Sequence, residues 1–473
     1  MRNSSINYSR EIHFFIIGII AISFIFNSCS KDEDINPGNI VPEDIRSVNN
    51  FIWDNMDVLY LWKDFMPTNL DPNDQPDPIN YFKSLLYSKE DKWSFITDDY
   101  EGLVNSLQGI NKTFGHEFAL WNDTTKNEVY GIVEYVIKDS PANTNGIKRG
   151  DIFNRINGVQ LDTINYRSLL FGSDSYTVGF ADLVEDEIIP NDKEIELMAV
   201  VMQEYPVFLD TVLNVEGKKI GYLVYNQFIS SLNSDLDDVF TMFKSEGISD
   251  LVVDLRYNPG GSVGTATLMA SLIAPSNVSS QKEIFTKFIW NDIVDQYWRD
   301  TEGENSSNLV IPFINTPNNV NMSKVYFLVS GNSASSSELV INGLKPYMDV
   351  ILIGINTHGK YTASVTLHEQ ETSFNWAIQP IVLKTANAED ETDYKDGFSP
   401  DYFMRDDYFS PLGSLEENML AQAISLITGK SIDQLTRKKG YNKIELNKKY
   451  FLSGGRYRRE QKIIMEADNI NIY

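Results

Sequence analysis

Residues 250–264 read DLVVDLRYNPGGSVG, an apolar run followed by a turn with two adjacent glycines. The β-branched run is typical of a buried strand, and Asn258-Pro259 with the glycines predicts a turn before a helix. Adjacent glycines let backbone N–H groups approach a ligand and point one way, which suits an anion or oxyanion. A plain tight turn explains the same residues, so this stretch alone indicates only a strand–turn–helix unit.

The same alternation continues through residues 206–430. Strand-like runs KKIGYLVYNQF, KVYFLVS and VILIGI alternate with helical segments such as SDLDDVFTMFKSEG and SSELVINGLKPY. Such alternation predicts an α/β layered domain with a largely parallel sheet. Active sites in these folds lie at the carboxyl ends of strands, where loops lead into helices.

A second strand-to-helix turn, SGNSASSSE at residues 330–338, is crowded with serines. Ser335 and Glu338 fit a capping box, and a serine before a helix is usually only a cap. A hydroxyl there also lies in the positive field of the helix N-terminus, where the N–H of Ser336 can hold an oxyanion. Lys360 follows the strand VILIGI, and it can serve a serine nucleophile as base only if burial keeps it neutral.

Two other regions precede this α/β part. Residues 43–108 carry apolar side chains at helical spacing, which predicts one helix that ends at Pro67 and a second over residues 78–88. Residues 112–205 contain strand-like runs such as NEVYGIVEYVI. Within them, Ser-Pro-Ala at 140–142 opens a short helix, and Asn-Gly at 157–158 closes a hairpin.

The first residues predict export. Arg2 and Arg10 precede the run FFIIGIIAISFIF, which is short for a membrane span and has the basic flank of a secretory signal. Ser28 precedes Cys29, the one cysteine of the chain. The segment resembles a bacterial lipoprotein signal in which Cys29 is lipidated, and SKDED after it resembles the export tag of Bacteroides surface lipoproteins. A plain signal peptide with a chance cysteine is the alternative.

Composition excludes several partners and cofactors. The 473 residues carry a net charge of -26, so a phosphate backbone or an anionic membrane is not expected as a main partner. One cysteine and four scattered histidines predict no disulfide and no zinc site. We therefore expect neither a metal nor another cofactor, and the oligomeric state stays open.

The motifs together resemble the C-terminal processing, or tail-specific, serine peptidases. That family has a PDZ domain, then Asp-Leu-Arg-x-Asn-x-Gly-Gly, then Ser-Ala-Ser-x-Ser-Glu, then Thr-x-Gly-Lys. The chain carries DLRYNPGG, SASSSE and THGK in that order. Its residues 140–158 resemble a PDZ domain of the bacterial protease type. The resemblance covers residues 43–430 and implies a helical N-terminal domain, a PDZ-like β domain and a crotonase/ClpP-like α/β core.

The resemblance also implies roles for individual residues. Ser335 would be the nucleophile and Lys360 its base, with His358 as a less favoured rival base. The N–H groups of Ser336 and of Gly260 or Gly261 would form the oxyanion hole. Many members carry Gln four residues after the lysine, where this chain has Ser364, so that residue is a doubtful third member. The loop expected to bind peptide carboxyl ends by strand addition consists of Phe114, Gly115, His116, Glu117 and Phe118.

The resulting prediction is a lipid-anchored serine endopeptidase of the cell envelope, on the outer membrane and acting on polypeptides through a Ser–Lys dyad. The alternative is a catalytically silent, peptide-binding surface lipoprotein on the same scaffold. A further alternative is a glycan-binding surface lipoprotein, which only the aromatic content suggests. The predicted divisions are a signal peptide (1–28), a flexible tether (29–42), the helical domain (43–108), the PDZ-like domain (112–205), the peptidase core (206–430) and a solvated basic tail (431–473).

Overall fold

A computed structural model describes residues 41–185, 187–369 and 375–435, together with the backbone of residues 449–454. The described residues from Val41 onward pack as one compact unit. The predicted signal peptide, Cys29 and the tether up to residue 40 lie outside the described residues. Among the helices described, none is long and apolar enough to cross a membrane.

The N-terminal part is helical, but its first helix is shorter than predicted. It ends at Leu59, well before Pro67, because Tyr60 turns to an extended backbone and its buried hydroxyl donates to Asp91 at 2.8 Å. The second helix ends at Leu85 and not at residue 88. The elements are α1 (Glu43–Leu59), α2 (Pro78–Leu85), β1 (Phe95–Thr97) and α3 (Tyr100–Leu107).

The middle part has its own antiparallel sheet and its own apolar core. The hairpin predicted at Asn157-Gly158 is confirmed, with φ of 52° and 75° at the two positions, because an Asn-Gly pair tolerates the left-handed backbone of a type I′ turn. The elements are β2 (Ile110–Thr113), β3 (His116–Asp123), β4 (Glu128–Val136), α4 (Pro141–Thr144), β5 (Ile152–Ile156), β6 (Val159–Gln160), α5 (Tyr166–Phe171), β7 (Ser175–Val184), β8 (Glu187–Met198) and β9 (Val200–Gln203).

The α/β alternation predicted for residues 206–430 is present. In the six-stranded sheet, β11, β12, β15, β16 and β21 run parallel, and β10 is an antiparallel edge. The elements are β10 (Val207–Val215), β11 (Lys218–Tyr225), α6 (Asn233–Glu246), β12 (Asp250–Asp254), α7 (Val263–Ile273), α8 (Ser276–Gln281), β13 (Ile284–Trp290), α9 (Asp292–Glu302), β14 (Val310–Pro312), β15 (Lys324–Val329), α10 (Ser336–Leu344), β16 (Asp349–Gly354), β17 (Thr362–Ser364), β18 (Leu367–His368), β19 (Ala377–Gln379), β20 (Ile381–Ala386), β21 (Tyr402–Phe403), α11 (Asn418–Thr428) and α12 (Ile432–Leu435).

Short strands join the N-terminal part to this core. β1 pairs with β19, and the amide of Leu61 donates to the carbonyl of Ile381 at 2.9 Å. The side chains of α1 and α2 share a buried cluster with Ile378 and Ile381. The helical part is therefore packed into the α/β layer and contributes to its edge.

The end of the chain departs from the prediction of a solvated tail. Residues Lys449–Gly454 form a last strand, β22, which pairs antiparallel with β3 of the middle sheet. Edge strands expose unpaired backbone groups, and the strand KYFLSG contains an aromatic and apolar run that suits pairing, although basic residues flank it. The rest of the tail from residue 436, apart from this strand, lies outside the described residues.

Candidate active site

The serine-rich turn connects the end of β15 to the start of α10. Ser335 occupies the N-cap position with φ 60° and ψ -114°, a backbone that side-chain-bearing residues rarely adopt. It is 2% exposed, and its Oγ has no hydrogen-bond partner among the described residues. The expected cap by its hydroxyl is therefore not made, and the Ser335 N–H instead donates to Glu338 at 3.0 Å.

The neighbouring serines are buried and have a different role from Ser335. Their hydroxyls donate across to carbonyl oxygens of the loop that follows β12, so they fasten the serine turn to the glycine turn. This pattern leaves one hydroxyl of the cluster uncommitted. The three bonds are Ser333 to Leu255 (2.8 Å), Ser336 to Gly261 (2.8 Å) and Ser337 to Asn258 (3.0 Å).

The glycine turn brings its backbone against the serine turn. A Cβ on Gly260 would lie 2.7 Å from the Cβ of Ser335 and 3.0 Å from the amide nitrogen of Ser336. Gly260 has φ 109° and Gly261 has φ 133°, so other residues would be strained at both positions. The Gly260 N–H donates to the side chain of Asn258 at 2.8 Å, whereas no hydrogen bond from the Gly261 N–H is found within the part of the chain that the structure describes.

Lys360 lies in the loop between β16 and β17, six residues beyond the strand end at Gly354 that was expected to precede it directly. Its side chain is 5% exposed. Burial lowers the pKa of Lys360 to about 7, while the carboxylates of Asp91 and Glu338 raise it in part. A lysine with this pKa is largely neutral just above neutral pH and can accept a proton.

Glu338 connects the serine turn to the lysine loop. One carboxylate oxygen accepts the backbone N–H groups of Ser335 (3.0 Å) and Lys360 (2.8 Å). The other accepts the Thr357 hydroxyl and the Gly359 N–H, both at 2.6 Å. Burial raises the pKa of Glu338 to about 7, and these four hydrogen bonds oppose the rise. The sequence marked this residue only as part of a capping box.

Asp91 comes from the N-terminal part and was not singled out in the sequence. Its carboxylate accepts the Tyr60 hydroxyl at 2.8 Å and the amides of Trp93 and Ser94 at 3.0 and 2.9 Å. The Trp93 ring packs edge-on against Tyr361, the residue after Lys360. Among the charges that raise the pKa of Lys360, the carboxylate of Asp91 has the largest effect. The helical part therefore takes part in the electrostatics of this site.

The two residues considered as further members lie close in sequence to Lys360. His358 is half-buried, its backbone N–H donates to Ser333 at 3.0 Å, and burial together with the charge of Lys360 lowers its pKa. Ser364 is fully buried at the end of β17, where it pairs with Ile381 after a β-bulge. Neither observation assigns these residues a chemical role.

The predicted peptide-binding loop is buried. Residues 114–118 turn into β3 through Gly115, whose φ is 89° and where a Cβ would meet the side chain of Ser140. The amide of Ala142 donates to Phe114 at 2.9 Å, so the Ser-Pro-Ala turn packs on this loop. The accessible part is the backbone edge of β3, and that edge carries β22 downstream of these residues.

A buried cluster of charged residues lies at the end of β12, next to the glycine turn. Arg256 is fully buried and binds Asp254, and it binds Glu417 with two hydrogen bonds of 2.8 and 3.0 Å. Asp406 contacts Arg256 and also Arg149 of the middle part. Asp406, Asp407 and Glu417 lie close enough to hold a cation, but Arg149 and Arg256 already bind Asp406, and Arg256 also binds Glu417.

The site has a buried serine with an unpaired hydroxyl at a helix start and backbone amides beside it. It also has a buried lysine with a pKa of about 7. Serine hydrolases with a lysine base need residues of these kinds. Similarity to known proteins supports this class. Residues 219–403 match the model of Peptidase family S41, and residues 47–95 match that of the Peptidase S41 N-terminal domain. Residues 219–403 thus resemble an S41 peptidase domain, and this similarity supports the prediction of a serine-type peptidase.

Two curated proteins and one solved structure illustrate this similarity. A CtpA-like serine protease of Staphylococcus aureus (strain COL) is 24% identical over 312 residues, covering 61% of this chain and 56% of the relative. The one from Staphylococcus epidermidis is 24% identical, covering 70% and 65%. The chain thus spans between about half and two thirds of these curated relatives. A crystal structure of a Bacteroides fragilis protein assigned to the S41 proteases is 26% identical with a TM-score of 0.66, covering 80% of this chain and 97% of that one.

Glu338→Ala should destabilise the fold and abolish reactivity of the site. The change leaves three buried backbone donors unpaired, and each costs about 1–3 kcal/mol. Urea unfolding and fluorophosphonate labelling measure the two effects. Glu246→Ala is the control, because that carboxylate is half-exposed and pairs only with Lys219, which is worth about 1 kcal/mol or less. Equal stability and labelling of both variants would contradict the role given to Glu338.

Asp91→Asn should move the acidic limb of the activity profile to lower pH. Loss of the carboxylate charge lowers the pKa of Lys360 further, so the base is neutral at lower pH. The pH dependence of kcat/KM on a small ester measures this, since it reports groups of the free enzyme. Glu90→Gln is the control, because it removes a charge on the same segment, where Glu90 accepts the Tyr361 hydroxyl at 3.4 Å. An identical shift in both variants, or none in Asp91→Asn, refutes the coupling.

Proposed function

We propose that the chain is a serine endopeptidase in which Ser335 is the nucleophile and Lys360 the general base. The observation that carries the proposal is the buried Glu338 carboxylate, which holds the backbone of both residues on one oxygen atom. Ser335 has the one hydroxyl of its cluster without a partner, and Lys360 is buried with a lowered pKa. One buried carboxylate thus holds the backbone of both the proposed nucleophile and the proposed base.

The chemical step follows the ordinary course of acyl transfer. The Oγ of Ser335 bonds to the carbonyl carbon of the substrate while its proton passes to the Nζ of Lys360. The C–N bond then breaks, and the leaving amine takes the proton from Lys360. Water attacks the resulting ester with Lys360 again accepting a proton, and the carboxylic acid product leaves Ser335 free.

The oxyanion formed in each step is assigned to the amides of Ser336 and Gly261. Ser336 is the first residue of α10, so its N–H lies at the positive end of the helix. Gly260 is less suited, because its N–H already donates to Asn258. Preorganised amides of this kind contribute about 3–4 kcal/mol each to the lowering of the barrier.

The substrate and location complete the proposal. Polypeptides are the proposed substrates, and the middle part, residues 112–205, is proposed to be a PDZ-like unit that handles them. Its Ser-Pro-Ala turn packs on the Gly115 loop, and β3 pairs with the added strand β22 on the side away from β4, which is the geometry that strand addition uses. We place the chain in the cell envelope, anchored through a lipid on Cys29, on the evidence of its first residues.

Activity should depend on Ser335 and Lys360 and not on His358. Ser335→Ala and Lys360→Ala should each lower kcat/KM by at least about 1000-fold. Lys360→Arg should not restore it, because guanidinium does not deprotonate. In the unmodified chain, kcat/KM should rise with pH through an apparent pKa near 7 and stay high in alkali, since neutral Lys360 is the active form. His358→Ala is the matched control, with most activity retained. Activity lost in His358→Ala but kept in Lys360→Ala would replace the Ser–Lys mechanism.

Membrane association should depend on Cys29. Cys29→Ser removes the proposed lipid attachment, and without it the exported chain should move from the membrane fraction to the soluble envelope fraction. Immunoblots of fractionated cells measure the distribution, and Ser28→Ala, beside the cysteine, is the control that should leave it in place. If Cys29→Ser stays with the membrane, the lipoprotein proposal fails while the peptidase proposal is untouched.

A further inference from the structure

Strand β3 has a partner on each side, and the two partners come from different ends of the chain. On one side it pairs with β4, the next strand in sequence. On the other it pairs with β22, so that Lys449 lies opposite Asp123 and Gly454 opposite Ala119. Without β22, β3 would be the terminal strand of this sheet. The segment thus covers an edge that the middle part leaves open.

The direction of β22 resembles that of a strand-added ligand. Because the pairing is antiparallel, the chain from Lys449 to Gly454 runs towards the start of β3. Its carboxyl end therefore points to residues 116–118 and to the turn at Gly115. The pairing with β22 ends at Ala119, short of those residues. A peptide that docked on this edge with its C-terminus towards Gly115 would need the same backbone groups of β3.

We propose that the edge of β3 is a strand-addition site whose resting occupant is the chain's own segment 449–454, and that an extended polypeptide docks there only after displacing it. The inference rests on the proposed function in so far as the displacing ligand is a polypeptide substrate. The inference goes beyond that function because it gives the chain an internal competitor for its substrate. While the segment occupies β3, the chain does not bind extended peptides there.

The strength of the pairing fits a displaceable segment. β22 has six residues, and its ladder with β3 is irregular between Phe451 and Ser453. A backbone hydrogen bond makes only a modest net contribution to stability, and a bulge interrupts the ladder. Attachment to the same chain adds an effective concentration in the millimolar range for a short flexible connection. A ligand with more contacts along β3 can therefore compete.

Charge also favours docking of this segment on its own chain. The whole protein carries a net charge of -26, yet the sequence around β22 is strongly basic. Opposite charges attract the tail to the acidic body and weaken at high salt. The basic residues that flank the strand are Arg437, Lys438, Lys439, Lys443, Lys448, Arg456, Arg458, Arg459 and Lys462.

The test measures binding of a fluorescein-labelled peptide, KKYFLSGGR (residues 448–456), by fluorescence anisotropy. All chains carry Ser335→Ala, so that the peptide is not cleaved and the result does not depend on the proposed chemistry. The chain that ends at residue 448 should bind the peptide at least 10-fold more tightly than the full chain. Phe451→Pro with Leu452→Pro, which disfavours a paired strand in the middle of β22, should do the same. Ile463→Pro with Ile464→Pro, outside β22, is the control and should bind like the full chain.

A cross-link tests the register directly. Asn122 and Tyr450 are opposite each other, so Asn122→Cys with Tyr450→Cys, in a Cys29→Ser chain, should form a disulfide within one molecule. The oxidised form should not bind the peptide, and reduction should return binding to the full-chain level. Equal peptide binding by the truncated and full chains overturns the proposal. A cross-link between two molecules overturns it as well, since the occupant would then be a second copy.

Discussion

The buried carboxylate of Glu338 is the contact on which the site depends. It accepts hydrogen bonds from the serine turn before α10 and from the loop before β17, two segments that no other single side chain joins in this way among the described residues. An isolated carboxylate in this position would be costly to bury, and three backbone donors with one hydroxyl offset that cost. The same bonds determine where Ser335 and Lys360 can lie, so the electrostatic requirement of one side chain becomes the geometry of a reaction centre.

The second constraint is backbone packing at Gly260 and Gly261. The serine turn approaches so closely that a side chain on Gly260 would overlap Ser335, and the hydroxyls of Ser333, Ser336 and Ser337 hold the two turns together. The Arg256 cluster fixes the strand end below them and ties it to α11 and to the middle part. The serine turn, the glycine turn and the Arg256 cluster thus together position the amides of Ser336 and Gly261 and the unpaired hydroxyl of Ser335.

The site also shows why the three parts of the chain pack as one unit. The helical part supplies Asp91, which acts on Lys360 through space, and its β1 strand extends a small sheet of the core. The middle part supplies Arg149, which bridges to Asp406 beneath the glycine turn. The last strand returns to the middle part at β3.

The sequence by itself determined the alternation of strands and helices, the hairpin at Asn157-Gly158, and the pair of turns that carry Ser335 and Lys360. These features depend on periodicity and turn chemistry, which are local and can be read from neighbouring residues. Only the tertiary structure decided that Glu338 binds the lysine loop, that Gly261 and not Gly260 has a free amide, that α1 stops at Leu59 and that residues 449–454 pair with β3. Most of these features depend on hydrogen bonds between segments far apart in the chain, and such partners meet only when the chain has folded. The choice between Gly260 and Gly261 depends on the local geometry of the turn, which the residue types alone do not determine.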